Sequence, residues 1–251
     1  MEISIRRICW FLLACILTCV AMGALGDAYR EATAGATSES RLVSIVFEQF
    51  DLNDEANLPT WLASSLFLLA AVLAAATAGV AARREPREVL PWSAVALAFC
   101  YFSIDEAATL HEQFNMLLHY AVGTPRGIDV LSLTLVAIVG AAMLPFVLRL
   151  DRPTRGAMFL SAVLLVTGGA GIEIVTNKVL GLSGEQIRAA LVITPLEELL
   201  EMLAAFVVIC ALLRRLAASG PSLALHFVDT EVVAGSERAA ALQTDPSATA
   251  R

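Results

Sequence analysis

Residues 89–112 read Val89-Leu-Pro-Trp-Ser-Ala-Val-Ala-Leu-Ala-Phe-Cys-Tyr-Phe-Ser-Ile-Asp-Glu-Ala-Ala-Thr-Leu-His-Glu112, an apolar run that ends in Asp105, Glu106, His111 and Glu112. A helix needs about 20 residues to cross a ~30 Å hydrocarbon core, and this run supplies them. A charge near the middle of such a span costs roughly 2.5–3.5 kcal/mol on insertion scales, so acids gathered there point to a site. One stretch therefore predicts both a membrane helix bundle and an acidic site inside it.

Similar runs recur along the 251-residue chain, which is 58% hydrophobic and only 16% charged. Its mean hydropathy is +0.73. Those values lie outside the range of soluble domains. Spans are predicted near residues 8–25, 60–82, 89–110, 128–148, 156–176 and 195–213. The predicted fold class is all-α: a polytopic membrane helical bundle of six transmembrane helices, or five if the N-terminal segment is cleaved. A net charge of −7 and the lack of a basic patch interleaved with aromatics exclude nucleic acid as a partner. Cys9, Cys15, Cys19, Cys100 and Cys210 all fall in spans, odd in number and without zinc-type spacing, and read as small apolar fillers.

At the N-terminus, Arg6 and Arg7 precede an apolar run that ends in small residues, Ala21-Met-Gly-Ala-Leu-Gly26. Residues 1–26 read as a first transmembrane helix or as a signal peptide cleaved near Gly26. A run of about 17 residues is long for a signal core, which favours the retained helix. Residues 27–59 form an acidic extracytoplasmic segment. Within it, Leu42, Ile45, Val46 and Phe50 share one side of a short interfacial helix predicted over Ser40–Phe50. Asp51-Leu-Asn-Asp-Glu55 has the acids of a calcium loop, but Ala56 stands where the turn needs glycine, so it reads as a solvated loop. Residues 60–215 make a five-helix membrane core. Residues 216–251, rich in Ala, Ser, Gly and Thr, read as a disordered cytoplasmic tail.

The basic residues orient the bundle. Arg83, Arg84 and Arg87 separate the second and third spans, Arg149, Arg152 and Arg155 the fourth and fifth, and Arg214 and Arg215 follow the sixth. The positive-inside rule makes these ends cytoplasmic, and Arg6 and Arg7 agree. The expected location is an inner, cytoplasmic membrane, multi-pass, with both termini in the cytoplasm.

Depth follows from a 1.5 Å rise per residue. Asp105 lies about 27 Å outward from Arg87, and Glu173 about 27 Å outward from Arg155. On the last span, Glu201 and Glu197 lie about 20 and 26 Å from Arg214. Three helices thus bring acids to the outer third of the membrane, with Glu106, His111, Glu112 and Glu198 beside them. At 100° per residue, Tyr101, Asp105, Thr109 and Glu112 share one face, as do Thr194, Glu197 and Glu201. Gly168-Gly-Ala-Gly171 lets another helix come close just before Glu173. Two stretches match as an internal repeat would, although alanine and valine matches are cheap in membrane helices and chance also accounts for them. Ser93-Ala-Val and Ser161-Ala-Val stand at the same twelve-residue spacing before Asp105 and Glu173.

Local roles compete with a shared site. Thr194-Pro-Leu-Glu197 has the form of an N-terminal capping box, in which Glu197 only caps. His111 and Glu112 also fit an interfacial helix end. Capping does not account for Asp105, Glu173 and Glu201 together. Nor do the outer-loop cations Arg126, Lys178 and Arg188, which are too few for the seven acids of the layer. Crowded like charges cannot all ionise, so protons or a cation must neutralise the excess.

Carboxylates with one imidazole suit a hard divalent ion such as iron, manganese or zinc. The expected metal ligands are Asp105, Glu106, His111, Glu112, Glu173, Glu197, Glu198 and Glu201, although the Glu-x-x-His of dimetal bundles is missing. The first reading is a metal-dependent membrane enzyme acting on a lipid or quinone-like substrate from the outer leaflet. An alternative is a proton- or cation-coupled transporter or channel, against which the inner halves of the spans show no polar path. A structural or accessory membrane protein held together by neutral acids is the third. Expected partners are the lipid bilayer and a small hydrophobic substrate or ion. No nucleophile elbow, His-Glu-x-x-His or phosphate loop occurs, and Met202 stands where the Glu-Glu motif of intramembrane CAAX-type proteases has arginine.

Ser103, Asp105, Glu106, His111 and Glu112 form a Ser-x-Asp-Glu…His-Glu helix, and Glu197, Glu198 and Glu201 a late Glu-Glu-x-x-Glu helix. Together they resemble a group of bacterial multi-span inner-membrane proteins over roughly residues 90–215. The resemblance implies that these residues act as one unit, and it implies no reaction.

Overall fold

Wherever the computed structural model describes the chain, over residues 4–33, 40–52, 56–122, 130–171 and 193–220, the apolar runs are helical. The elements are α1 (Ile5–Thr33), α2 (Arg41–Glu48), α3 (Leu58–Arg84), α4 (Val89–Ala108), α5 (Leu110–Val122), α6 (Val130–Val147), α7 (Arg152–Leu165) and α8 (Ile193–Ala218). A 3₁₀ turn, Pro86–Glu88, leads into α4, and a π-helix, Val166–Gly171, continues α7. The chain is all-α among the described residues. The tail after Gly220 and the Arg126, Lys178 and Arg188 loops lie outside them.

Among the described residues, three helices are long and apolar enough to cross a membrane: Ile5–Thr33, Leu58–Arg84 and Pro86–Ala108. That is fewer than the six predicted. Local features account for two of the three that are not counted. α7 runs 14 residues before giving way to the π-helix, and the last part of the fifth predicted span lies outside the described residues. α8 has 26 residues but carries Glu197, Glu198 and Glu201 near its start.

α1 does not stop at Gly26. It continues through Asp27 and Arg30 to Thr33, so the first seven residues of the predicted acidic segment belong to the helix. The Arg30 guanidinium bridges Asp27 on its own helix (2.5 Å) and Asp51 beyond α2 (2.9 Å). The small residues read as a cleavage site are docking positions. A side chain at Gly23 would meet Leu52 and the Phe50 carbonyl, and one at Gly26 would meet Phe47. Phe47 also packs on Tyr29. Leu42, Ile45 and Val46 of α2 are exposed, whereas Phe50, expected on the same side, lies past the end of the helix and is half-buried. Asn57 then starts α3, its side-chain oxygen accepting from the Thr60 backbone N–H.

α3 and α4 form a close hairpin because α3 presents alanines, among them Ala63, Ala70, Ala71, Ala74 and Ala78, all buried. Small residues allow the backbones to approach, and dispersion across the contact replaces the hydrophobic drive that lipid removes. Phe67 of α3 packs across the hairpin on Phe99 and Phe102 of α4. α8 lies at the centre, packed against α1, α3 and α7. Its Met202, Ala205, Val208, Ile209 and Leu212 are wholly buried.

At the end that carries the arginine loops, Arg215 of α8 donates to Glu88 (2.8 Å) and to Asp151 (2.7 Å). The same guanidinium lies 5.4 Å above the ring of Trp92, whose indole N–H donates to Glu88. Asp151 in turn caps α7 by accepting from the Thr154 backbone and hydroxyl. One arginine therefore ties the α3–α4 turn, the α6–α7 turn and the end of α8 together.

Candidate carboxylate site

The first wall of the site is a broken helix. α4 ends at Ala108, Thr109 adopts the left-handed conformation (φ 46°, ψ 42°), and α5 starts at Leu110. The predicted run through Glu112 is thus two helices. The shared face of Tyr101, Asp105, Thr109 and Glu112 is lost, because the 100° count does not carry across the break. Asp105 now spans the junction. One carboxylate oxygen accepts from the His111 backbone N–H (2.8 Å), and the other lies 2.9 Å from His111 Nδ1. The first bond caps the opening of α5, whose N–H groups lack partners within their own helix. The second fixes the imidazole ring.

Below the break, α4 is clasped to α3. Ser64 and Ser103 each donate a hydroxyl to the other's backbone carbonyl at 2.8 Å. Two reciprocal bonds hold the α4 backbone two residues before Asp105, giving the acid a fixed base.

The second wall is the opening of α8. It begins at Ile193, so Thr194 lies within the first turn rather than at the N-cap position expected for it. Glu197, Glu198 and Glu201 follow, all partly buried. Glu201 lies within electrostatic reach of four other acids: Glu106, Glu198, Glu197 and Asp105. The structure thus brings Asp105, Glu106, His111, Glu197, Glu198 and Glu201 to one region between α4 and α8.

The third element is the π-helix after α7. A Cβ on Gly168 would stand 3.1 Å from Glu201 Cγ and 3.2 Å from the Glu197 carbonyl oxygen and Leu200 Cβ. The glycine-rich run predicted to admit another helix admits α8, at the turn that carries the acids. Glu173 lies outside the described residues, and of Glu112 only the backbone is described. The stretch after Ser161 passes through the wider i→i+5 turns of Val166–Gly171, whereas α4 is α-helical from Ser93 to Asp105; the Glu173 half of the expected repeat lies outside the described residues.

Among the described residues no three His, Cys, Asp or Glu side chains are set to hold a metal ion. Sequence reading also missed the left-handed Thr109, the Ser64 clasp and the Arg215 clamp. Serine inside the apolar run of α3 was a usable signal for the clasp, since a hydroxyl there must find a partner.

With this geometry in hand, residues 10–216 match the model of a family described as a domain of unknown function, DUF8692. The chain belongs to that family. The DUF8692 match runs from Trp10 in α1 to Leu216 in α8 and so takes in both acid-bearing walls. No curated protein and no solved structure matches the chain.

Proposed function

We propose that the protein is a six-span inner-membrane protein of bacterial type whose α4–α8 acids bind a divalent metal ion for chemistry on a lipid or quinone-like substrate. The observation that carries the metal reading is the Asp105–His111 pair. A carboxylate on one ring nitrogen fixes the orientation of a histidine, as it does for metal-ligating and general-base imidazoles. His111 and carboxylates drawn from Asp105, Glu106, Glu112, Glu173, Glu197, Glu198 and Glu201 would hold iron, manganese or zinc. The ion would supply positive charge for polarising a substrate oxygen, and a glutamate left unligated would serve as base.

Several features support the membrane part of the reading. Leu90 and Leu97 of α4 are 79% and 72% exposed, an outward face suited to lipid. The arginine-rich turns meet through Arg215 at one end, in keeping with a single cytoplasmic face. The contacts of Gly23 and Gly26 favour α1 as a retained span.

The proton- or cation-coupled reading is the second. It is favoured by the four like charges around Glu201 and by the lack of a three-ligand set among the described residues. Elemental analysis of the purified protein separates the two, with wild type run beside Asp105→Asn and Glu201→Gln. A stoichiometric transition metal that falls in both variants is expected. A metal-free wild type that takes up protons in liposomes, and loses that uptake in Glu201→Gln, would overturn the metal reading in favour of the second.

A further inference from the structure

A concave site lies at the opposite end of the bundle from the acids, against the Arg215 clamp. It is a cavity of about 1100 Å³ bounded by α1, α3, α7 and α8. Its lining is largely apolar, with Leu13 of α1, Val80 of α3 and Phe206 and Val207 of α8 half-buried and Trp10 of α1 and Leu160 of α7 exposed beside them. Its rim carries Arg6, Arg84 and Arg214, one from the end of each of three helices. None of these three takes an ion pair among the described residues. The rim acids Glu88 and Asp151 are already held by Arg215, which leaves Glu85 as the other carboxylate lining the cavity.

We propose that this cavity binds an anionic phospholipid of the inner leaflet, its phosphate on Arg6, Arg84 and Arg214 and an acyl chain along the apolar lining. The proposal rests on the membrane reading above but not on the metal site. Two independent features converge on this occupant. Guanidinium groups match phosphate oxygens in pairs, and a basic recess between helices on the cytoplasmic side suits an anionic headgroup. The apolar lining distinguishes a lipid from a soluble phosphate, which would leave that surface uncovered. The volume, about 1100 Å³, lies just above the roughly 300–1,000 Å³ of small-molecule pockets, enough for a chain as well as a headgroup.

The test is native mass spectrometry of the purified full chain taken from mixed vesicles of phosphatidylglycerol and phosphatidylcholine with identical acyl chains. Phosphatidylglycerol is expected to be retained selectively at low copy number. Each of Arg6→Gln, Arg84→Gln and Arg214→Gln should weaken that retention roughly fivefold, the scale of one basic residue at an anionic surface. Arg83→Gln, Arg87→Gln and Arg149→Gln remove the same charge from the same end without lining the cavity, and should leave retention unchanged. Arg84 and Arg214 are exposed, so their single variants keep the test open if combined variants fail to fold. Equal loss in the control set, equal retention of both lipids, or full displacement by inorganic phosphate would each overturn the proposal. Extraction by detergent without lipid selectivity would do so while leaving the membrane reading standing.

Discussion

A residue with a Cβ in the left-handed region crowds its own following carbonyl, at about 1–2 kcal/mol, and branching at Cβ makes it worse. Thr109 holds this conformation between α4 and α5 because Asp105 ties the two helices across it. Strain kept beside a cluster of acids is a mark of function more than of stability. Thr109→Gly is therefore expected to raise the thermal midpoint in detergent, by about 1 kcal/mol of relieved strain. If the break serves the site, the same variant lowers metal content or proton uptake. A lower midpoint would remove the strain argument. Gly168 makes the opposite prediction. Gly168→Ala puts a methyl against Glu201 and the Glu197 carbonyl and should cost about 1–3 kcal/mol, since packed backbone cannot yield freely. Gly156→Ala, which meets nothing within 4 Å, should be neutral or slightly stabilising. At this scale the acids were legible, because a charge in an apolar run stands out. Thr109 was not, because its conformation comes from a carboxylate four residues earlier and not from its own propensity.

Among the elements, α8 carries the bundle, and its partner α1 gives the most direct check on how it packs. The sulfurs of Cys9 on α1 and Cys210 on α8 are 2.6 Å apart, although both thiols are free. Mild oxidation of the full chain should join them, and peptide mass spectrometry should recover residue 9 linked to residue 210. Cys9→Ser or Cys210→Ser should abolish that product, whereas Cys15→Ser and Cys100→Ser should not. A chain that never yields the link has α1 packed elsewhere. The cysteines looked like apolar fillers from sequence, because spacing along a chain cannot reveal a pair 201 residues apart. Helix positions were legible from apolar length alone. The central place of α8 was not, since a helix buried on all sides and one facing lipid are equally apolar. The π-helix was hidden for a related reason. Val-Thr-Gly-Gly-Ala-Gly marks close approach, but what sets the wider turn is the helix it must clear.

At the scale of the whole molecule, the basic loops gave one common end, and the structure adds how that end is held. Arg215 reaches two carboxylates and one aromatic face, so its loss releases three parts of the chain together. Its side chain is about a quarter exposed and Asp151 about half, so each ion pair is discounted for solvent to the lower end of about 0–1 kcal/mol. The stacking on Trp92 adds about 0.5–1 kcal/mol. Arg215→Ala should then destabilise by about 1–2 kcal/mol, and Arg215→Lys by less, because an ammonium keeps a charge but loses the two-pronged geometry. The acid limb of the stability curve gives a separate readout. Partial burial works against the Asp151 charge, but the Thr154 backbone and hydroxyl and the Arg215 guanidinium outweigh it, holding this carboxyl below its usual 3.8. A carboxyl lowered on folding contributes stability that is fully present above its unfolded pKa and is lost as pH falls through the lower folded value. Below about pH 4, wild type should therefore lose stability that Asp151→Asn never had, and the two melting curves should converge as the pH falls. High salt should weaken the exposed Asp151 pair while sparing the Trp92 stacking. An acid limb unchanged by Asp151→Asn would mean that the clamp is held by Glu88 and Trp92 alone.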